Sequence, residues 1–330
     1  MTYDTSRDTD RNVTQIQPTH KDPTMSDPPI NGRTQLVGLI GWPVEHSLSP
    51  AMQNAAFEAL GLNYRYVPLP VPPGQVDVAV GGLAALGFSG ANVTVPHKEA
   101  VLRALTRPGH PEAVAADAEA LGAVNTLVVH RGTAEHPIIT GHNTDAAGFV
   151  GSLEAAGTSL KTISAVVVGA GGAARAVIFG LIRAGTRAIT ILNRRPERAE
   201  RIVADLKGAD VADTRLRAAA LEAGRLVEIC RTADLLVNAT PVGMWPHGEG
   251  TIWPAEVPIP SQLTVFDLVY NPPTTRLLQQ ARASGARAVD GLDMLVRQGA
   301  LAFEIWTGED APVPVMRRAC QRALAHGSPQ

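Results

Sequence analysis

The chain reads as an α/β protein of two domains, and three observations predict this. From Thr34 onward, short β-branched runs alternate with Ala/Leu-rich stretches of helical length. The run Gly169-Ala170-Gly171-Gly172-Ala173-Ala174 falls between a strand pattern and a helix pattern, the context a phosphate-cradling turn needs. A length of 330 residues suits about two domains.

The elements follow in order. Gln35–Ile40 is a strand ending at Gly41, Pro50–Leu60 a helix stopped by Gly61, and Tyr64–Val67 a second strand. Val76–Leu86 is helical and ends at Gly87, before the strand Gly90–Val95. A helix containing Asp117–Ala120 leads to the strand Asn125–Val129, which opens a hairpin through Arg131-Gly132. Ala146–Ala156 is a helix that bridges the two domains. Beyond it come the buried strand Ile163–Val168, the helix Ala173–Ala184 and the strand Ala188–Leu192. Ala199–Leu206, Asp234–Asn238 and Leu263–Asp267 continue the alternation. Leu292–Thr307 is a long amphipathic helix, with Leu295, Val296, Leu301 and Ile305 at helical spacing, expected to cross back onto the first domain. This places residues 34–144 plus 291–330 in one domain and 145–290 in the other. Site residues drawn from both units would put a cleft between them, with a hinge near residues 145 and 290.

Bulk properties narrow the function classes. Hydrophobic residues make up 45% of the chain but aromatic ones only 4%, so Ala, Val and Leu must fill the cores. A formal net charge of −2 leaves no basic surplus to hold nucleic acid or a membrane surface. Cys230 and Cys320 lack CxxC spacing, fit a reducing cytoplasm and read as buried or incidental thiols. The histidines show no metal-ligand spacing, and no metal is expected. Residues 1–33 are polar and rich in Thr, Asp and Pro, with no apolar stretch of the kind a secretion signal needs. They read as a disordered tail, with Met25 an alternative start. The longest apolar region, Ala165 to Ile182, is interrupted by glycines and Arg175. It falls short of the roughly 20 apolar residues a membrane span requires.

The glycine run fits G-x-G-x-x-A. Gly169 permits the tight turn and Gly171 lets backbone approach a pyrophosphate. Ala174 allows the helix to pack closely on the strand, and the helix N-terminus supplies positive potential. Such a turn can also exist without a ligand. The next strand decides between them. It ends at Asn193-Arg194-Arg195, with Arg198 one turn on, and no carboxylate stands at the tip to bind ribose hydroxyls. Guanidinium groups there would fork onto a 2′-phosphate, and a cationic helix start with no such ligand would oppose the macrodipole. NADP is therefore the expected cofactor, in a Rossmann-type doubly wound domain.

Two polar segments upstream could supply the chemistry. Lys98 follows a strand, so its ammonium can project from the carboxyl edge of a sheet, where ligands bind, although taken alone it reads as a solvated surface lysine. Asp145 and Asn125 read either as site residues or as loop caps. Ser49 is suited to N-cap a helix with Pro50 at its first position, whereas Ser47 has no such structural use; the pair could instead hold a carboxylate.

Five separated segments carry a family likeness: GWPVEHSLSP at 41–50, NVTVPHK at 92–98, AVNTLV at 123–128, GHNTD at 141–145 and GAGGAARA at 169–176. NATPVGM at 238–244 and DGLDMLVRQGA at 290–300 agree with them. From about Gln35 to about Thr307 the chain resembles the shikimate dehydrogenases, NADP-dependent oxidoreductases of chorismate and aromatic amino-acid biosynthesis. The resemblance implies Lys98 and Asp145 as the catalytic pair, with the division of the proton between them left open. It implies Ser47 and Ser49 at the substrate carboxylate with Tyr270 in support, and Thr94, Asn125 and Gln298 at ring hydroxyls. Gly169, Ala170, Gly171, Gly172 and Ala173 would cradle the cofactor. Asn193, Arg194 and Arg198 would hold its adenosine phosphate, Met244, Val269 and Gly291 would flank the nicotinamide, and Thr240 would also contact the cofactor. Gln53 departs from the family, where His is common, and Arg195 replaces a small polar residue. Partners would be shikimate and 3-dehydroshikimate, with the enzyme a cytoplasmic monomer or homodimer. Two alternatives remain: a quinate/shikimate dehydrogenase using NAD or both cofactors, for which Glu197 is the only nearby carboxylate, and a catalytically inert nucleotide-binding regulator.

Overall fold

The computed structural model describes residues 30–107, 113–130, 138–206 and 214–327. Most of the tail expected before Thr34, including Met25, and the hairpin turn at Arg131-Gly132 lie outside the described residues.

Two six-stranded sheets organise the chain. The first is built from β1 (Gln35–Gly41), α1 (Ser49–Ala59), β2 (Tyr64–Pro70), α2 (Val76–Ala85), β3 (Phe88–Val93), α3 (Lys98–Leu105), β4 (Ala113–Val114), α4 (Ala116–Leu121), β5 (Thr126–His130) and β6 (Ile138–His142). Its order is β2-β1-β3-β5-β6-β4. Among the described strands only β5 runs antiparallel to its neighbours, with Asn92 opposite Thr126 and Thr126 opposite His142. After α5 (Asp145–Ala155) come β7 (Ser164–Val168), α6 (Gly172–Arg183), β8 (Ala188–Asn193), α7 (Pro196–Leu206), β9 (Arg215–Ala220), α8 (Ala223–Cys230), β10 (Leu235–Asn238), β11 (Thr264–Asp267), α9 (Arg276–Ala283) and β12 (Arg287–Asp290). These strands pair in parallel in the order β12-β11-β10-β7-β8-β9. That is the doubly wound arrangement in which direction reverses between the first and fourth strands, β7 and β10, opening a crevice at their carboxyl ends.

The last two helices, α10 (Gly291–Thr307) and α11 (Val313–Gly327), return to the first sheet. Leu292, Val296, Ala300, Phe303 and Trp306 share a core with Val37, Phe57, Met316 and Cys320. Trp306 Nε1 donates to the Leu127 carbonyl at 2.9 Å, so the buried indole leaves no polar atom unpaired. The crossing back matches the amphipathic reading, but the stripe differs. Val296 is buried as expected, whereas Ile305 is 39% exposed. The face that packs runs through Leu292, Val296, Gly299, Ala300 and Phe303, at helical spacing.

Between the two assemblies lies α5. Its Phe149 and Leu153 are buried with α6 in the core of the second sheet, where Phe149 meets Phe266 edge-on at 5.0 Å. The same helix packs along α10. Among the described residues, no helix is long and apolar enough to cross a membrane. Both cysteines are free and buried, which pushes their thiols up to about 12.

Candidate active site

The carboxyl ends of β1 and β3 and the segment after β6 meet at one cavity of about 240 Å³. Eight of the residues expected to bind substrate or react line it: Ser47, Ser49, Thr94, Lys98, Asn125, Asp145, Tyr270 and Gln298. From the cofactor set, Ala173 and Gly291 also reach it. Among the described residues, Lys98 and Asp145 are the only charged side chains in its lining, and they face each other. Lys98 Nζ donates to Asp145 Oδ2 at 2.6 Å.

Chain geometry explains this pairing. Lys98 opens α3 just past the end of β3, and Asp145 opens α5 just past the end of β6. With β5 between β3 and β6, two helix starts separated by 47 residues come side by side. Asn125 fixes the carboxylate from the other side: its Nδ2 donates to Asp145 Oδ1 at 2.8 Å and to Thr144 Oγ1 at 3.0 Å. Asn125 Oδ1 accepts from the Thr144 N–H and the Thr126 hydroxyl, which orients the amide. Asn125 is thus a buried bridge rather than a loop cap. Behind it, Asn92 Nδ2 donates to Thr126 Oγ1, and Tyr66 Oη donates to Asn92 Oδ1 at 2.8 Å. Burial raises the Tyr66 phenol well above its ordinary value, a hydrogen bond with Ser49 partly offsetting it. Sequence reasoning gave Tyr66, Asn92 and Thr126 no role. Asn92 stands two residues before Thr94, which follows the end of β3, and that period-two spacing was the available signal.

The serine expectations change roles. Leu48 already has helical dihedrals, so Ser49 is inside α1 and does not cap it. Ser47 supplies the structural bond instead, its Oγ accepting the Ser49 N–H at 3.2 Å. Both still line the cavity beside the N-terminus of α1, where positive potential suits an anion. Gln53 is fully buried and donates to Gly299 O at 2.9 Å, tying α1 to α10 one residue beyond Gln298. It therefore helps to hold α10 beside the site. His97 is packed, with Nε2 2.6 Å from Val71 O. Burial and the nearby His130 lower the pKa of His142.

The remaining cofactor candidates lie outside this cavity, around the reversal point of the second sheet. Gly169 has φ +122, and a Cβ there would stand 2.7 Å from Ala239 O and 3.2 Å from Thr240 Cγ2. At Gly171 and Gly172 a Cβ would meet nothing within 4 Å. Open space over the N-terminus of α6 is what a pyrophosphate requires. At the tip of β8, Arg194, Arg195 and Arg198 are exposed. Among the described residues none of them is paired with a carboxylate. Asn193 Nδ2 donates to Arg195 O at 2.8 Å, shaping that tip. Met244 is 46% exposed, while Val269 is buried with its N–H turned to Asp267. The donor set fits NADP: a bare glycine turn, then three guanidinium groups free of carboxylates, with no acid closing the strand.

Family profiles match the chain in three consecutive spans. They are the shikimate dehydrogenase substrate binding domain over residues 39–127, shikimate / quinate 5-dehydrogenase over 153–242, and the shikimate 5′-dehydrogenase C-terminal domain over 291–321. The shikimate dehydrogenase (NADP(+)) of Methanopyrus kandleri is 49% identical over 291 residues, which cover 88% of this chain and 96% of that protein. The chain belongs to the shikimate dehydrogenase family. Two solved members share its fold. The shikimate 5-dehydrogenase of Listeria monocytogenes, in complex with shikimate and NAD, superposes with a TM-score of 0.80 at 35% identity, covering 88% of this chain and 97% of its own. That of Thermus thermophilus, in complex with NADP(H) and shikimate, gives 0.75 at 39%, covering 88% and 100%. Within this shikimate dehydrogenase chain, Lys98 falls in the first matched span, the glycine turn in the second and Gln298 in the third. Asp145 lies between the first two.

Proposed function

We propose that this chain is an NADP-dependent shikimate dehydrogenase that interconverts 3-dehydroshikimate and shikimate. One observation carries the reading: a single cation and a single anion, 2.6 Å apart, in a cavity otherwise lined by hydroxyl, amide and apolar groups. A site of about 240 Å³ suits one small ring acid. Ser47 and Ser49 at the start of α1, with Tyr270 in support, receive its carboxylate. Thr94, Asn125 and Gln298 receive the ring hydroxyls.

NADPH, when bound, supplies the hydride that the carbonyl carbon accepts. The residues of the chain handle the other half of the balance, one proton for the carbonyl oxygen. Lys98 as an ammonium stabilises negative charge growing on that oxygen and donates the proton; in reverse its neutral amine takes the proton back. Asp145, held by Asn125 on one oxygen, keeps the lysine aimed with the other. The cofactor's diphosphate is assigned to the turn 169–173 and its 2′-phosphate to Asn193, Arg194 and Arg198. Thr240, Met244, Val269 and Gly291 are assigned to the nicotinamide end. We place the domain boundaries at 34–144 plus 291–330 and 145–290, because α10 and α11 share a core with α1 and the first sheet.

The test mixes purified protein with shikimate or quinate and NADP or NAD, and follows reduced cofactor by absorbance. Fastest reduction with shikimate and NADP is expected. Preference for NAD with quinate would overturn the cofactor and substrate assignment. No reduction in any of the four mixtures would favour an inert binder.

A further inference from the structure

Asp267 ends β11 with a side chain that is 0% exposed, and among the described residues no cation pairs with it. Its oxygens accept three hydrogen bonds. Thr275 Oγ1 donates to Oδ2 at 2.6 Å, while Asn238 Nδ2 and the Val269 N–H donate to Oδ1 at 2.9 and 3.1 Å. Asn238 extends the network. Its Oδ1 accepts both the N–H and the hydroxyl of Thr240, and its Nδ2 also donates to Val242 O. The turn leading to Met244 therefore takes its shape from a side chain that Asp267 holds. On the other flank Gly291 lies against the carbonyls of Asp267 and Leu268, where a Cβ would collide with both.

We propose that Asp267 is a positioning residue for the nicotinamide end of the cofactor, holding the turn 240–244 and the segment 268–269 in register through its ionised carboxylate. The proposal rests on the NADP reading above and adds to it the group that sets the shape of one end of that site. The charge matters because the partners are donors. Val269 N–H can only donate, and Asn238 Nδ2 can only donate. A protonated Asp267 can offer its proton only towards Thr275 Oγ1, which already accepts the Leu278 N–H. Protonation thus weakens charge-assisted bonds on which both segments depend. Burial raises the Asp267 pKa to about 6, against the three hydrogen bonds that lower it, so this loss falls in an accessible range. Among the described residues no charged group on the neighbouring elements pairs with Asp267: Arg282 on α9 donates to Thr274 Oγ1, and Arg287 on β12 to Ala156 O and Ser164 Oγ. Asp290, the register partner on β12, accepts from Leu292 N and pairs with Arg317. Arg276 on α9 is exposed, β10 carries no charged residue, and Tyr270 lines the substrate cavity.

The experiment measures the affinity of the wild type and of Asp267→Asn for NADP and for 2′-phospho-ADP-ribose, the same molecule without its nicotinamide, from pH 7.5 to 5. The 2′-phosphate titrates in both ligands, so it cancels in the ratio of affinities. In the wild type the ratio should fall several-fold as pH drops through 6. In Asp267→Asn, whose amide can keep accepting from Asn238 and Val269 and donate to Thr275, the ratio should stay at the low-pH level throughout. KM for NADPH should rise in the variant while KM for the ring acid is unchanged. A ratio independent of pH in the wild type overturns the proposal even if the variant does not fold. So does a variant with wild-type ratios at both pH values. Failure of the wild type to bind either ligand would sink the NADP reading itself, and the proposal with it.

Discussion

Replacing Gly171 with alanine separates cofactor binding from folding. Gly171 has φ −102 and ψ −173, extended backbone open to any residue, and an added Cβ meets no protein atom within 4 Å. The folded chain therefore gains no clash, and the loss of a glycine at a helix N-cap costs at most about 1 kcal/mol. For a chain of 330 residues that moves the melting temperature by only about 1–2 °C. The methyl instead stands over the N-terminus of α6, where a diphosphate must approach the backbone. Losing one charge-assisted hydrogen bond costs about 1.5–3 kcal/mol, a drop in NADP affinity of roughly 10- to 150-fold. Gly169→Ala is the contrasting control. At φ +122, with Ala239 O 2.7 Å from the new Cβ, the strain falls on the fold itself, about 1–3 kcal/mol from backbone conformation before the collision is counted. Thermal melting and fluorescence titration with NADP read the two effects separately. The reasoning is refuted if Gly171→Ala binds NADP as the wild type does, or if it loses as much stability as Gly169→Ala.

Three further outcomes are expected. Lys98→Ala should lower kcat by about 10²- to 10⁴-fold with NADP affinity nearly unchanged; a mild loss of turnover in steady-state assays would remove the lysine from proton transfer. Arg198→Ala should weaken NADP by at most about 3 kcal/mol and NAD much less; equal weakening in parallel titrations would detach it from the 2′-phosphate. Asp267→Asn should melt at or above the wild-type temperature at pH 7.5. A carboxyl raised from 3.8 to about 6 on folding favours the native state most below pH 4, and that advantage is lost as pH rises through 6. The charged form thus costs about 3 kcal/mol at neutral pH, which the amide avoids. A large drop in melting temperature at pH 7.5 would show that the carboxylate serves stability first.

Much of the fold was legible because periodicity and punctuation agreed. The buried strand before Gly169, the helix after it and the return helix from Gly291 were all visible in spacing. β9 was not: Arg-Leu-Arg-Ala-Ala-Ala is an edge strand without β-branched residues, so its propensity argues against the state that pairing with β8 imposes. α11 was missed for a related reason, since its covering of α1 is a long-range packing fact rather than a local pattern. In the site, Lys98 and Asp145 stood out as charges in polar motifs at strand ends. Tyr66 and Thr126 could not, because Tyr66 meets Asn92 only once β1 lies between β2 and β3, and Thr126 only once β5 pairs antiparallel with β3. Asp267 looked like any strand terminus until three donors were seen to converge on it.

The two places where the backbone passes between the sheets travel together. α5 leaves the first assembly and α10 comes back to it, and they touch so closely at Gly148 that a Cβ there would lie 2.7 Å from the Gln298 amide nitrogen. We expect two passages that share one line to act as paired pins on a single post, allowing a swivel more readily than a slide. Displacement in a swivel grows with distance from the post. Asp145 opens α5 and Gln298 lies on α10, so we expect such a swivel to leave the reacting corner nearly unchanged.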